Sequence, residues 1–275
     1  MTAFEELPEG CIAAVLSSTT PVDACRLSFI SKNFLSASDS DAVWNRFLPS
    51  DISSIISQFP SLSNIPTKKD LYIALSDRPI IIDNGKKSFQ LERKSGKKCY
   101  MLSARSLAIT WGDTDQYWNW TVMPESRFPE VAELLHVCWL EIRGKLNTLA
   151  LSPNTRYVTY LVFKMINAYG FEYFPVELSV GIEGGHSSTK IVCLADPNAR
   201  RRHRSRIIVT EPNRVLRLQR PNVRSDGWLE IEMGEFFISG LEDEEVQMSV
   251  IDIKGGHWKR GFFVEGIEVR PKEDH

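Results

Sequence analysis

Cysteine is scarce in this chain, and neither sign of charge prevails. The five cysteines, Cys11, Cys25, Cys99, Cys138 and Cys193, are odd in number and far apart among 275 residues, which argues against a disulfide framework and a CxxC zinc site. They read as reduced and structural. A formal net charge of -2 gives no overall pull toward nucleic acid or an anionic membrane, so neither is expected as a partner. No stretch approaches the ~18 apolar residues of a spanning helix. The N-terminal MTAFEELPEG carries Glu5, Glu6 and Glu9 where a signal peptide would have a basic region and an apolar run, so the chain reads as intracellular, cytoplasmic or nuclear. Internal repeats and low-complexity linkers are missing as well. So are catalytic signatures: there is no GxSxG elbow and no Gly-rich loop opening a helix. His136, His186, His203, His257 and His275 form neither HExxH nor a close pairing with cysteine or carboxylate at ligand spacing. No catalytic residue, cofactor or metal is expected.

What is present falls into two parts with different periods. Over the first ~80 residues the apolar spacing follows three and four, which predicts short helices. Pro8 suits a first helical position, with Ile12, Val15 and Leu16 on one face. Thr20, Pro21 and Asp23 supply a cap, a first-turn proline and an acid for a second helix. Asp41 precedes Val43, Trp44 and Phe47, and Pro49 prevents that helix from continuing. Asp51 caps a stripe of Ile52, Ile55, Ile56 and Phe59, and Thr67 with Asp70 opens a last helix. After Arg78-Pro79 the period becomes two. Alternation around Trp118 to Val122, Val176 to Ile182, Leu229 to Met233 and Val246 to Val250 predicts many short strands. YVTYLVF, residues 157 to 163, reads as a strand covered on both faces. The expected fold is α+β and multidomain: a small N-terminal helical domain followed by an all-β, jelly-roll-like sandwich.

The helical part offers more apolar surface than three short helices can hide, so the pattern predicts either a partner on one face or a helical cap docked on the chain's own β domain. Its order, LPEGCIAAVLSSTTPVDACRLSFISKNFLSASDSDAVWNRFLP over residues 7 to 49, resembles an F-box. The leading Leu-Pro, the Pro-x-Asp after the first helix, the Cys-Arg-Leu-Ser and the Asp-x-Val-Trp carry the resemblance. It implies docking on the Skp adaptor of a cullin-RING (SCF-type) ubiquitin ligase, with Leu7, Pro8, Ile12, Leu16 and Pro21 as apolar anchors. The ubiquitin chemistry would then belong to partners.

AITWGDTDQYWNW, residues 108 to 120, holds three of the seven tryptophans. In a strand, Trp118 and Trp120 share one face and Tyr117 and Asn119 the other, so one layer cannot bury every ring. The loop GDTDQY is expected to present Trp111 and Trp118 at its rim beside Asp113 and Asp115. An indole face suits the C-H face of a pyranose, and carboxylates accept from its hydroxyls. Core packing is the competing account of tryptophans in strands. The segment from about Lys98 to Pro271, carrying LAITWGDTDQYWNW, EVAELLHVCWLEIRGK, YLVFK, RSDGWLEIEMGEFF and GFFVEGIEVRP, resembles the phloem protein 2 domain, a plant lectin module. By that resemblance Trp111, Trp118 and Glu245 match carbohydrate-binding residues of the jasmonate-induced tobacco lectin, and Asp252 stands where that lectin has a second glutamate. The implied ligand is a glycoprotein or N-acetylglucosamine-containing glycan. Together the resemblances divide the chain into an F-box (1–50), a helical linker (51–84) and a lectin-like domain (85–275). They imply a non-catalytic substrate receptor, the alternative being a protein-interaction receptor that has lost sugar affinity.

Two further features have plain readings. The basic run ARRRHRSR, residues 199 to 206, has no interleaved aromatic and reads as a solvated loop. Glu230 and Glu232 mimic a glycosidase pair but are expected on a solvent-facing strand edge.

Overall fold

A computed structural model of the chain describes residues 7–171, 174–185, 187–195, 210–211, 214–215, 218–240, 242–253 and 256–273. The basic run 199–206, with His186, His203 and His275, lies outside the described residues. The chain divides into two compact units. One holds the helices up to Ile80 together with Phe89–Cys99; the other holds Ile81–Ser88 and the chain from Tyr100 onward. The helices past residue 50 thus belong to the helical unit rather than to a linker. Phe89–Cys99, expected within the β domain, belongs there too.

The helices are α1 (Glu9–Ser17), α2 (Pro21–Leu27), α3 (Lys32–Asp39), α4 (Asp41–Phe47), α5 (Ile52–Ile56), α6 (Pro60–Ser63) and α7 (Lys68–Asp77). Two caps form as the sequence predicts. The Asp23 amide donates to Thr20 Oγ1 at 3.1 Å, and the Asp70 amide to Thr67 Oγ1 at 3.0 Å. Pro8 sits one position earlier than expected, at the N-cap of α1. Helix α3 is new: Ser31 caps it by accepting from the Phe34 amide, but its serine-rich sequence sends only Phe34, Ala37 and Ser38 inward. The expected stripe from Ile52 breaks after Ile56, and of its residues only Ile52 is buried. Asp51 heads α5 without a side-chain cap; its carboxylate meets the buried Lys98 Nζ at 2.7 Å. Trp44 anchors the core. Its indole N–H donates to Ser38 O at 2.6 Å, and its ring lies 5.6 Å from Phe47 and 5.1 Å from Tyr72.

Past the helices the chain forms a sandwich of antiparallel sheets, of which Phe89–Cys99, with parts of the second and third strands, clusters with the helical unit. Its strands, in chain order, are β1 (Ile80–Ile82), β2 (Lys87–Leu91), β3 (Lys98–Ser103), β4 (Ala108–Ile109), β5 (Trp118–Thr121), β6 (Val131–Leu134), β7 (Leu140–Asn147) and β8 (Thr155–Tyr169). They continue with β9 (Val176–Ile182), β10 (Ser187–Val192), β11 (Thr210–Glu211), β12 (Arg214–Val215), β13 (Asn222–Val223), β14 (Leu229–Ile238), β15 (Glu245–Asp252) and β16 (Arg260–Pro271). Among the described residues one sheet runs β1-β2-β3-β16-β8-β14-β13, with β6 also on β16 and β5 on β6. A second runs β10-β9-β15-β7-β4, and β11 pairs with β12 as a separate two-stranded sheet. The run 157 to 163 lies in β8 between β16 and β14, buried throughout except for a half-buried Tyr160.

Strand β7 alternates strictly, with Leu140, Ile142, Gly144 and Leu146 inward and Glu141, Arg143, Lys145 and Asn147 outward. At Gly144 a Cβ would come within 3.0 Å of Leu107 and 3.3 Å of Ile267, so the absent side chain lets the two sheets close. This alternation fixes the outer face of the five-stranded sheet as a polar, solvent-facing surface. On the opposite sheet, Glu230 and Glu232 do not sit on an edge strand. β14 runs between β8 and β13, and the pair is tied up in ion pairs: Glu230 with Arg270 (2.8 Å) and Arg224 (3.0 Å), Glu232 with Lys190.

Candidate functional site

In the helical unit the five expected anchors separate by burial. Ile12 and Leu16 face the interior, because the buried side of α1 packs on α3 and α4, and Pro21 is buried at the start of α2. These three, expected as adaptor contacts, are buried within the helical unit. Leu7 is half-buried and Pro8 exposed. The apolar side chains that face solvent include Phe29, 89% exposed, and Ile30 beside it, which the helical pattern passed over, and Val15, expected on the face of Ile12 and Leu16 but exposed on α1. Their signal was a Phe-Ile pair just past the end of α2, outside any buried stripe.

In the β unit the expected sugar residues do not converge. Trp118 opens β5 opposite Leu134 and is only 1% exposed, with its indole N–H donating to Thr110 O at 3.2 Å. A ring so covered offers no platform, so the expected pair of rim indoles reduces to Trp111. That residue is 44% exposed, and its left-handed backbone (φ 60) turns the chain so that the Thr114 amide donates back to Trp111 O. Its ring lies 5.1 Å from that of Tyr117, tilted by 37°. Trp120 is occupied from both sides: its N–H donates to Gly112 O, and the Arg105 guanidinium sits 3.6 Å over its ring.

Glu245 and Asp252 terminate the same strand, β15. Seven rises of about 3.4 Å place them roughly 24 Å apart. Glu245 pairs across from Asn147 and meets Lys145 Nζ at 2.6 Å, away from the tryptophan loop. Asp252 pairs across from Leu140. It is buried, with the fully buried Lys259 ammonium 3.1 Å from Oδ2, yet that oxygen has no aligned hydrogen bond.

Beside the Trp111 loop stand two residues that no sequence motif had singled out as a site. Trp139 is 41% exposed, and its indole N–H donates to Glu141 Oε2 at 3.0 Å. Glu141 Oε1 accepts from Arg143 Nε at 2.8 Å, and Thr110 Oγ1 approaches Oε2 at 3.5 Å. These donors, the Trp139 indole foremost, hold the Glu141 carboxyl below the usual glutamate range. The same backbone register brings Thr110 there, since its amide donates to Glu141 O. Trp111, Tyr117, Trp139 and Glu141 are thus two exposed indoles, a phenol and a pre-ionised acceptor carried by neighbouring segments.

Concavities open on this unit among the described residues. A groove of about 390 Å³ crosses the outer face of the five-stranded sheet, lined by Arg143, Lys145, Ser179, Gly181, Gln247 and Ser249 among others, without an aromatic ring. A crevice of about 250 Å³ lies at the end of β15, lined by Phe174, Pro175, Glu177, Ile191, Ile251, Asp252, Ile253 and His257. The Phe174 and His257 rings stack there. The crevice combines apolar walls with two carboxylates, the pattern of a small-ligand pocket.

Comparison with known proteins gives these surfaces a family. Residues 97–271 match the model of phloem protein 2, and residues 4–46 that of the F-box domain. The chain is 46% identical over 270 residues to putative F-box protein PP2-B2 of Arabidopsis thaliana, covering 98% of this chain and 83% of that one. It is 44% identical over 271 residues to F-box protein PP2-B10 of the same plant, covering 98% and 94%. Among solved structures, a family 35 carbohydrate-binding module from Clostridium thermocellum aligns at 9% identity with a TM-score of 0.32, covering 62% of this chain and 96% of that one. With both models matched in order and nearly half of all positions shared with those relatives, the chain belongs to the phloem protein 2 family, in the group of plant proteins that carry an F-box ahead of that domain.

Proposed function

We propose that the chain is a substrate-recognition subunit of an SCF-type ubiquitin ligase, binding the Skp adaptor through its F-box and glycoproteins through its sandwich. It performs no chemistry of its own and works by bringing a captured glycoprotein to the ligase, in the cytoplasm or nucleus. The observation that carries this reading is the exposed aromatic surface on each unit: Phe29 on the F-box, and Trp111 beside the tilted Tyr117 ring on the sandwich. An aromatic side chain left in water costs apolar exposure that a partner removes. Phe29, Ile30, Leu7 and Pro8 are suited to an apolar groove of the adaptor, while Ile12, Leu16 and Pro21 keep that surface in shape. Trp111 is suited to the C-H face of a sugar ring, and Glu141 to accept from its hydroxyls.

The test is a pair of binding measurements on the full chain. Phe29→Ala with Ile30→Ala is expected to abolish capture by a plant Skp adaptor while leaving a glycan-array profile intact, and Trp111→Ala is expected to do the reverse. Loss of both activities in either variant would sink the division of labour. A second reading, a receptor that recruits through a protein surface without sugar, draws on one observation. Trp118 and Glu245, matched to sugar-binding positions, are respectively buried and paired within the chain. An empty glycan array with intact adaptor binding would favour it.

A further inference from the structure

One corner of the sandwich, where β8 ends and β16 begins, gathers rings and a cation that glycan capture at Trp111 leaves unused. Val137 and Lys259 exchange backbone hydrogen bonds of 3.1 and 2.7 Å, and both are buried, so alternation turns His136, Trp258 and Arg260 to solvent. The His136 and Trp258 rings stack with centroids 4.3 Å apart. On the other side Arg260 pairs with Tyr169 of β8, and its guanidinium lies 5.9 Å from the centroid of that ring. Trp258 and Tyr169 are each 45% exposed, and Ile166 is exposed as well. The corner is built rigidly. Ile166, Asn167 and Ala168 stand against the single residue Gly261, whose φ is 73° and where a Cβ would lie 2.4 Å from Ile166 O. Buried Lys259 donates to His257 O at 2.9 Å and lies 3.1 Å from Asp252 Oδ2, which pins the backbone on either side of Trp258.

From this arrangement we infer that the corner is a docking surface for an acidic protein segment, whose carboxylates are received by Arg260 and whose apolar side chains lie on Trp258, Tyr169 and Ile166. The donors here are unspent. Around Trp139 the indole N–H and Arg143 are both taken up by Glu141. At the corner, among the described residues, Arg260 has no ion pair, and neither the Trp258 indole N–H nor the Tyr169 hydroxyl donates to an atom of the chain. Donors without acceptors call for an acceptor-rich occupant, and a free guanidinium takes a carboxylate in two parallel hydrogen bonds, whereas a neutral saccharide leaves its charge unmatched. Tryptophan, tyrosine and arginine are also the residue types that dominate the energy of protein interfaces, and side chains held on a rigid corner lose little freedom on docking. Such docking goes beyond glycan capture and does not depend on it, although the corner adjoins the Trp111 loop through Leu135, whose amide donates to Tyr117 O.

The experiment is fluorescence anisotropy of the full chain with a labelled peptide that alternates glutamate and leucine, beside versions carrying glutamine, lysine or phosphoserine in place of each glutamate. The glutamate peptide is expected to bind about tenfold tighter than the glutamine one, the effect of one charge-assisted pair, and to weaken as salt rises. Arg260→Gln is expected to erase that difference while leaving the glutamine peptide unaffected, Trp258→Ala to weaken both, and Trp111→Ala to weaken neither. Matched thermal melts establish that the variants are folded. No binding, equal binding of the glutamate, glutamine and lysine peptides, or a glutamate preference that survives Arg260→Gln would overturn the acidic segment. Binding of the phosphoserine peptide alone would replace the carboxylate by a phosphate and overturn it likewise. Peptide binding lost on Trp111→Ala would assign the peptide to the tryptophan loop, and N-acetylglucosamine oligomer binding lost on Trp258→Ala would give the corner to sugar; either result overturns the inference. An empty glycan array with the glutamate preference intact and dependent on Arg260 would sink glycan capture and leave the acidic docking surface standing.

Discussion

Replacing Trp118 by alanine separates the two accounts of the tryptophan-rich segment. Its ring is buried and its indole N–H is bonded to Thr110 O. Truncating a buried tryptophan costs about 3–5 kcal/mol, from lost burial and from the cavity that remains. The Thr110 carbonyl, deprived of its donor, adds about 1 kcal/mol. A domain is commonly stable by only about 5–15 kcal/mol, so this loss is a large share of the total. The assay is urea unfolding of the full chain followed by circular dichroism, with the sandwich transition analysed apart from that of the helical unit because two units need not melt together. Trp118→Ala is expected to move the sandwich midpoint sharply downward at unchanged slope. Trp111→Ala, with its ring already 44% in water, is expected to cost under about 1 kcal/mol. A Trp118→Ala protein as stable as the parent but unable to bind saccharide would refute the burial argument and return Trp118 to the binding surface.

Other predictions concern the charges under the nine-stranded sheet and the helix caps. Glu268 is buried among Arg224 (2.6 Å), Arg127 (3.1 Å) and Arg270 (3.3 Å). Burial opposes its charge, yet these arginines hold its carboxyl below the usual range. Glu268→Ala leaves three guanidinium groups short of a partner and should cost about 3–5 kcal/mol by denaturant titration. Glu265 is the opposite case: burial raises its carboxyl above the ordinary 4.5, the Arg127 amide and Ser126 hydroxyl reach only Oε1, and Oε2 has no partner. A group that binds its proton more tightly when folded contributes stability that is full below the unfolded value and lost as pH rises through the folded one. The stability difference between the parent and Glu265→Gln should therefore shift in favour of the variant as pH rises above about 4.5. In the F-box, Thr20→Ala removes the acceptor of the Asp23 amide and should cost about 1 kcal/mol, measured on the helical transition.

Much of the fold is legible in the sequence where a local rule applies. Thr20 and Thr67 cap helices because a side-chain oxygen meets an orphan amide three residues on, and that interaction depends on nothing distant. The change of period after Arg78-Pro79 likewise separates helices from strands. Helix α3 escaped because its inward residues are too few and too small to make a stripe, so tertiary packing on α1 and α2 decides it. Burial is the part periodicity does not settle. Ile12 and Leu16 satisfy both a core stripe and a docking stripe, and only the packing of α1 on α3 and α4 chooses between them. Trp118 and Trp111 are equally aromatic in the sequence, yet a left-handed turn at Trp111 sends one indole outward while the other is paired with Thr110. Trp139 and Glu141 went unnoticed as a site because Thr110, which ties Glu141 to the Trp111 loop, comes there through strand pairing rather than spacing.

The central claim is that one chain carries a ligase adaptor on one unit and a glycan on the other, and co-capture tests it most directly. The full chain, preloaded with a purified plant Skp adaptor, is passed over immobilised N-acetylglucosamine oligomer, and the adaptor retained on the matrix is measured. The account predicts that the adaptor is held only when the chain is present, is eluted by free oligomer, and is lost with Trp111→Ala although that variant still binds adaptor in solution. Adaptor that fails to be retained while the chain alone binds the matrix, or retention that survives Trp111→Ala, would contradict it.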